Sequence, residues 1–227
     1  MFITFEGVDG SGKSTQARLL TERLRAEGRE VVDTREPGGT EAGERIRELL
    51  LHSDRLAPWA EATLFSAARA QLVDEVIRPA LASGSDVVCD RYIDSSLAYQ
   101  GIARGLGVER VLEVNLAVTG SLLPDRTFLL VVPGEVAARR RGTSPDRIES
   151  EGDEFAAEVD RAYREIAEIF SQRVVVVDGT AKPGALADEI HEIPPVRVVP
   201  VLHSRASLRV TRDGRAVHSS APRRALR

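Results

Sequence analysis

The segment Gly7-Val8-Asp9-Gly10-Ser11-Gly12-Lys13-Ser14 has the residue types and spacing needed to hold phosphate. It fits G-x-x-x-x-G-K-[ST], with Thr15 following. Glycines let successive backbone N–H groups turn inward onto phosphate oxygens, Lys13 can reach the β- and γ-phosphates, and the Ser14 hydroxyl is suited to Mg²⁺. Lys13 and Lys182 are the only lysines in a chain that otherwise uses arginine, so a lysine at position 13 serves a chemical purpose. The loop alone implies binding of a nucleoside triphosphate and leaves ATPase, GTPase and kinase chemistry open.

Two further clusters extend that chemistry. The apolar run Asp86-Val87-Val88-Cys89 ends in Asp90-Arg91-Tyr92. An acid there can hold Mg²⁺ directly or through water, and the planar fork of Arg91 can bridge donor and acceptor phosphates. Arg139, Arg140, Arg141 and Arg147 lie in a polar stretch that breaks helical periodicity, which predicts an exposed loop of clustered cations.

These residues need a frame. Residues 2–6 read as a buried strand entering the glycine loop, and a helix over about 13–27 follows with Ala17, Leu20 and Leu24 on one face. Gly28 stops it. A second short strand starts at Val31-Val32, Pro37-Gly38-Gly39 mark a loop, and helices are expected over about 41–51 and 59–81. Further strands are expected at 87–89, 127–132 and 173–177. This alternation predicts an α/β fold, a parallel sheet of about five strands with helices on both faces. Ligands of such sheets bind beyond the carboxyl ends of the strands, so Asp90 is expected to face the crevice of the glycine loop.

The chain of 227 residues suits one main domain, and no apolar run approaches the roughly 20 residues of a membrane helix. It opens on a candidate strand without a basic leader or apolar signal region, so a cytoplasmic protein is expected. Cys89 reads as a buried strand residue. Net charge divides unevenly: residues 1–193 sum to −11, whereas 194–227 carry eight arginines against Asp213. That extension could be a hairpin turning at Thr211–Arg215 or a disordered tail. Its charge invites nucleic acid, but it lacks interleaved aromatics.

Beyond single motifs, the order of Glu6-Gly7-Val8-Asp9-Gly10-Ser11-Gly12-Lys13-Ser14-Thr15, Arg35-Glu36-Pro37-Gly38-Gly39-Thr40 and Asp90-Arg91-Tyr92 resembles that of thymidylate kinases. Residues 65–71, 95–101 and the Asp146-Arg147-Ile148-Glu149 segment resemble that family's base-binding helix, nucleoside loop and lid. The likeness covers about residues 1–193 and implies a P-loop NTPase-type nucleoside monophosphate kinase domain with a lid near 139–153. It further implies ATP and dTMP as substrates, Mg²⁺ and a homodimer.

The same resemblance suggests roles for individual residues. Phe65 would stack on thymine and Arg69, four residues on, would bind the base. Ser96 and Gln100 match positions around the base, and Tyr99 the ring that crowds the 2′ position. Asp9 would accept from the sugar 3′-OH, Arg35 would clamp the dTMP phosphate, and Pro37 matches a proline preceded by a cis bond. The glycine loop holds no arginine, so the chain resembles the type with its catalytic arginine in the lid, with Arg147 the best-matched candidate and Arg141 beside it. Val131 stands where relatives often carry an acid. A kinase of another deoxynucleotide remains a rival, as does a P-loop regulatory module, which the absence of any Asn-Lys-x-Asp motif disfavours.

Overall fold

The computed structural model describes residues 1–141 and 146–194, and the backbone of Arg209–Val210 and Ala216–Val217. Strand β1 (Phe2–Glu6) is buried along its whole length, as a central strand covered on both faces must be. Helix α1 (Lys13–Ala26) lays Ala17, Leu20 and Leu24 on the sheet and ends before Gly28, whose φ of 82° turns the chain away. Strand β2 (Val31–Arg35) leads to α2 (Glu41–His52), capped by Thr40 Oγ1 accepting from Gly43 N at 2.9 Å.

Helix α3 (Pro58–Leu72) passes through a π-helical segment, Val73–Ile77, into α4 (Arg78–Ala82). The single helix expected over 59–81 is therefore interrupted. The wider turns precede Pro79, which has no N–H to return to Glu75. Strand β3 (Asp86–Asp90) is followed by α5 (Ile93–Ser96), a second π-helical segment (Leu97–Ala103) and α6 (Val108–Thr119). Strand β4 (Arg126–Val131), α7 (Gly134–Arg140), a short turn at Glu149–Glu151, α8 (Asp153–Ile169), β5 (Val174–Asp178) and α9 (Pro183–Glu192) complete the main body. Arg209–Val210 (β6) and Ala216–Val217 (β7) pair antiparallel. The turn expected between them, like lid residues 142–145, lies outside the described residues.

The main sheet is parallel, in the order β2-β3-β1-β4-β5, as the alternation of strand and helix predicts. Ile3, Phe5, Val88, Phe128 and Leu130 face α1 and α9 on one side. Phe2, Val87 and Cys89 face the α3–α4 run on the other. Cys89 is buried, and burial holds its thiol well above the usual range. Burying a side chain such as Phe5 contributes about 1.5–3 kcal/mol.

Alternation along β1 puts Thr4 and Glu6 on the same side as Phe2, yet both are fully buried. Their surroundings are polar. Arg173 Nη1 and Nη2 each donate to Asp94 at 2.6 Å, Nη1 also donates to Thr127 Oγ1 at 3.0 Å, and Thr127 meets Thr4 at 2.8 Å. This pair ties α5 to the sheet with the bidentate geometry that a buried ion pair requires. Register brings Phe5, Asp90 and Arg35 level at one end of the sheet. Among the described residues no helix is long and apolar enough to cross a membrane.

Candidate active site

The glycine loop packs too closely for side chains at two of its glycines. A Cβ on Gly7 would stand 2.6 Å from the Leu130 carbonyl oxygen, and one on Gly10 would stand 2.4 Å from that of Ala137 in α7. Both carry positive φ, 138° and 84°. Gly12 precedes the first residue of α1, so the loop's N–H groups and the helix start share one concavity.

Asp9 lies between two cations. Lys13 Nζ approaches its Oδ1 at 3.0 Å and Arg91 Nη2 at 2.7 Å. Burial opposes ionisation of Asp9, but Arg91 and Lys13 outweigh it and hold the carboxyl well below the usual range. Burial, and then Arg91, push the Lys13 ammonium down. A phosphate arriving here would meet two cations already desolvated.

Ser14 Oγ donates to Asp90 Oδ2, while Asp90 Oδ1 is buried without a hydrogen-bond partner among the described residues. A hydroxyl and a carboxylate are donors for a hard divalent cation, and Mg²⁺ characteristically takes one or two carboxylates alongside substrate phosphates and water. That pattern needs no larger acidic cluster, and none occurs among the described residues. Thr15 is exposed on α1 and lines neither cavity described below.

Arg91 follows β3 with φ 73°, in the region L residues rarely adopt. Its N–H donates to Phe5 O at 2.9 Å. Its Nη1 donates to Gly7 O, Tyr163 OH and Ser95 Oγ at 3.0, 2.9 and 3.2 Å, and the guanidinium lies 5.5 Å from the Tyr99 ring centre. Burial pushes the Tyr99 hydroxyl up to about 12, although Arg91 pulls the other way. Behind Arg91 stands Glu6, which accepts from Tyr92 N at 2.8 Å, Ser95 Oγ at 2.6 Å and Tyr163 OH at 3.1 Å. Burial, assisted by Asp94, pushes its carboxyl up to about 7.

One cavity of about 220 Å³ gathers Asp9, Lys13, Ser14, Arg35, Pro37, Phe65, Asp90, Arg91, Ser96, Tyr99 and Gln100. Arg35 is half in solvent and bonds Glu44 at 3.0 Å. The Glu36–Pro37 bond is cis. Gln100 Nε2 donates to Glu61 at 2.9 Å.

Arg69 is not part of that wall. It is 1% exposed and gives its N–H donors to Glu36, Tyr92 O, Ser96 Oγ at 2.9 Å and Asn115. Two Glu36 bonds and three others use all five. A base oxygen would have to displace one of these partners. Arg69 instead reaches the cavity through Glu36 and Ser96, both of which line it; the Ser96 oxygen accepts from Arg69, which leaves its hydrogen to donate.

The lid arginines separate. Arg141 lines a second cavity of about 580 Å³ with Val8, Asp9 and Tyr99, and meets Asp153 at 3.5 Å. Arg140 donates to Gly179 O at 2.9 Å, and Arg139 is exposed. Arg147, best matched by motif, is directed elsewhere. Its backbone N–H and Nε donate to the Leu51 and Leu50 carbonyls at 3.0 and 2.8 Å, and Nη2 pairs with Glu61 at 2.8 Å. The physical reason is demand: the last carbonyls of α2 lack helical partners, and Glu61, 1% exposed, requires cations. Arg104 supplies another and also binds Glu151 at 2.7 Å.

Motif reading missed Glu6, Ser95 and Tyr163 around Arg91, and Glu61, Arg104 and Asn115 behind the cavity. Glu6 and Ser95 lie within the matched segments without an assigned role, and Glu6 left a further signal, an acid closing a largely apolar strand. Val131 ends β4 partly buried, and its carbonyl accepts from Gly179 N at 2.9 Å.

A family model described as thymidylate kinase matches residues 5–190. The chain is similar to the thymidylate kinase of Caldanaerobacter subterraneus subsp. tengcongensis, 47% identical over 180 residues, 78% of this chain and 86% of that one. That of Pelotomaculum thermopropionicum is 50% identical over 184 residues, 79% and 85% of the two chains. Among solved structures, thymidylate kinase from Ehrlichia chaffeensis superposes with a TM-score of 0.72 at 33% identity, covering 85% of this chain and 97% of that one.

Proposed function

The chain belongs to the thymidylate kinase family, and from that premise we propose how its side chains divide the transfer of the γ-phosphoryl group of ATP to dTMP. The observation that carries the reading is the cavity in which phosphate-loop residues Asp9, Lys13 and Ser14 share walls with Arg35, Phe65 and Arg91. Donor and acceptor can meet there in line.

The backbone N–H groups of the glycine loop and Lys13 bind the β- and γ-phosphates. Ser14 and Asp90 would hold Mg²⁺, which when bound supplies neutralising charge between those phosphates. Arg35 and Arg91 hold the acceptor phosphate. Phe65 stacks on thymine, Ser96 donates to the ring, and the Gln100 amide, its Nε2 engaged with Glu61, turns its carbonyl oxygen to the ring N–H. Tyr99 crowds the 2′ carbon and Asp9 accepts from the 3′-OH.

An already ionised acceptor oxygen attacks the γ-phosphorus. The new P–O bond forms as the bond to the β–γ bridging oxygen breaks, and ADP departs with that electron pair. No general base is needed, so catalysis is positioning plus stabilisation of charge. Arg141 is the lid cation of this reading, supported by the cavity whose lining it shares with Asp9, and Arg147 anchors the lid's base to α2 and α3.

Initial rates on dTMP, dUMP, dCMP and dGMP test the reading. The expected result is preference for dTMP, and a higher KM for dTMP in Ser96→Ala at little changed kcat. Preference for another base would overturn it.

A further inference from the structure

Glu6 lines neither cavity, yet its carboxylate bonds both hydroxyls that meet Arg91 and the backbone of the residue after it. Its two oxygens divide the work. Oε1 accepts from the backbone of Tyr92, the residue directly after Arg91, at 2.8 Å. Oε2 accepts from Ser95 Oγ at 2.6 Å and Tyr163 OH at 3.1 Å. Those same hydroxyls accept from Arg91 Nη1 at 3.2 and 2.9 Å.

A hydroxyl has one hydrogen to give. When the hydrogens of Ser95 and Tyr163 point to Glu6, their lone pairs are left facing Arg91, and the guanidinium is held from behind while Asp9 holds it from the front at 2.7 Å. The backbone of Arg91 carries a φ of 73°, a conformation that persists only where its surroundings impose it. The bonds from Arg91 N to Phe5 O and from Tyr92 N to Glu6 supply that imposition on either side. Glu6 also directly precedes Gly7, whose carbonyl is another acceptor for Arg91. One buried carboxylate therefore links the phosphate loop, the β3–α5 turn and α8.

We propose that Glu6 is a positioning residue for phosphoryl transfer, setting the orientation of Arg91 through Ser95, Tyr163 and the backbone of Tyr92. The inference rests on the reading of Arg91 as the residue that bridges donor and acceptor.

The test is a set of double-mutant cycles on the full chain. Glu6→Gln, Ser95→Ala and Tyr163→Phe are each made alone and in an Arg91→Ala background, with kcat, both KM values and thermal midpoints recorded. Glu6→Gln is expected to lower kcat by up to about 10²-fold, the cost of a misplaced catalytic group. Tyr163→Phe and Ser95→Ala each remove one of the bonds to Arg91 together with one to Glu6 and are expected to lower it about 5- to 10-fold, with KM for ATP little changed.

In the Arg91→Ala background the same changes are expected to leave kcat within about twofold, because what they orient is gone. Equal losses in both backgrounds would overturn the inference and assign Glu6 to the fold alone. Should Glu6→Gln not fold, the two hydroxyl variants carry the same cycle. An unchanged rate in Arg91→Ala itself would overturn the functional reading and the inference with it, whereas a slow Arg91→Ala with additive partners overturns only the inference.

Discussion

Beneath the floor of the cavity proposed for the acceptor, Arg69 is 1% exposed and gives its whole guanidinium to protein oxygens, whereas Arg141 at the lid is 21% exposed and reaches one carboxylate at 3.5 Å. The two arginines differ in what folding has already done. Around Arg69 the geometry that positions Ser96 is complete before any ligand arrives, so little ordering remains to oppose binding. Among the described residues the Arg141 side chain gives up only Asp153, which suits the role proposed for it, a cation that passes to phosphoryl oxygens. Arg147 belongs with Arg69 in this comparison despite lying in the lid segment, for its partners are carbonyls and a buried carboxylate.

The sharpest way to break the comparison is stability. Arg69→Ala strands the buried Glu36 carboxylate and is expected to cost about 3–5 kcal/mol, read as a lowered thermal midpoint. An equal loss in Arg141→Ala would erase the distinction between floor and lid.

A second test reads pH. Glu6 is raised in the folded chain from 4.5 to about 7, so the native state holds its proton longer than the unfolded chain. Its contribution to stability is full below pH 4.5 and is lost as pH rises through 7. The wild type should therefore lose up to about 3 kcal/mol relative to Glu6→Gln across that window, measured by denaturant unfolding at several pH values. Parallel curves would mean that Glu6 titrates normally and that the floor is wetter than its geometry indicates.

The smallest effect is expected from the basic extension. The family match ends at residue 190 and every proposed site residue precedes it. We propose residues 1–193 as the kinase body, so a chain shortened to residue 194, which retains the Arg126 contact to the Pro194 carbonyl, should phosphorylate dTMP within about twofold of the full chain. A larger loss would give the extension a part in the site.

Much of this was legible in the residues because strand, glycine loop and helix follow one another locally. Phe2–Phe5, Gly7–Ser14 and the Ala17-Leu20-Leu24 spacing define β1, the loop and α1 without reference to the rest of the chain. Asp90-Arg91 was equally readable, since a strand's carboxyl end must open into the crevice. The π-helical turns at Val73–Ile77 and Leu97–Ala103 were not, because apolar spacing does not report a shift of one residue in hydrogen bonding. Where Arg147 is directed was hidden for a different reason. Arg147 finds its partners on α2 and α3, and only the folded chain brings Glu61 to it.

The division of labour is tested most directly by the single-turnover rate of phosphoryl transfer to dTMP in Arg141→Ala and Arg147→Ala, measured beside their thermal midpoints. The account predicts transfer about 10²-fold slower in Arg141→Ala at an unchanged midpoint, and a lowered midpoint with a smaller loss of rate in Arg147→Ala. A slower transfer in Arg147→Ala than in Arg141→Ala, at an unchanged midpoint, would contradict it.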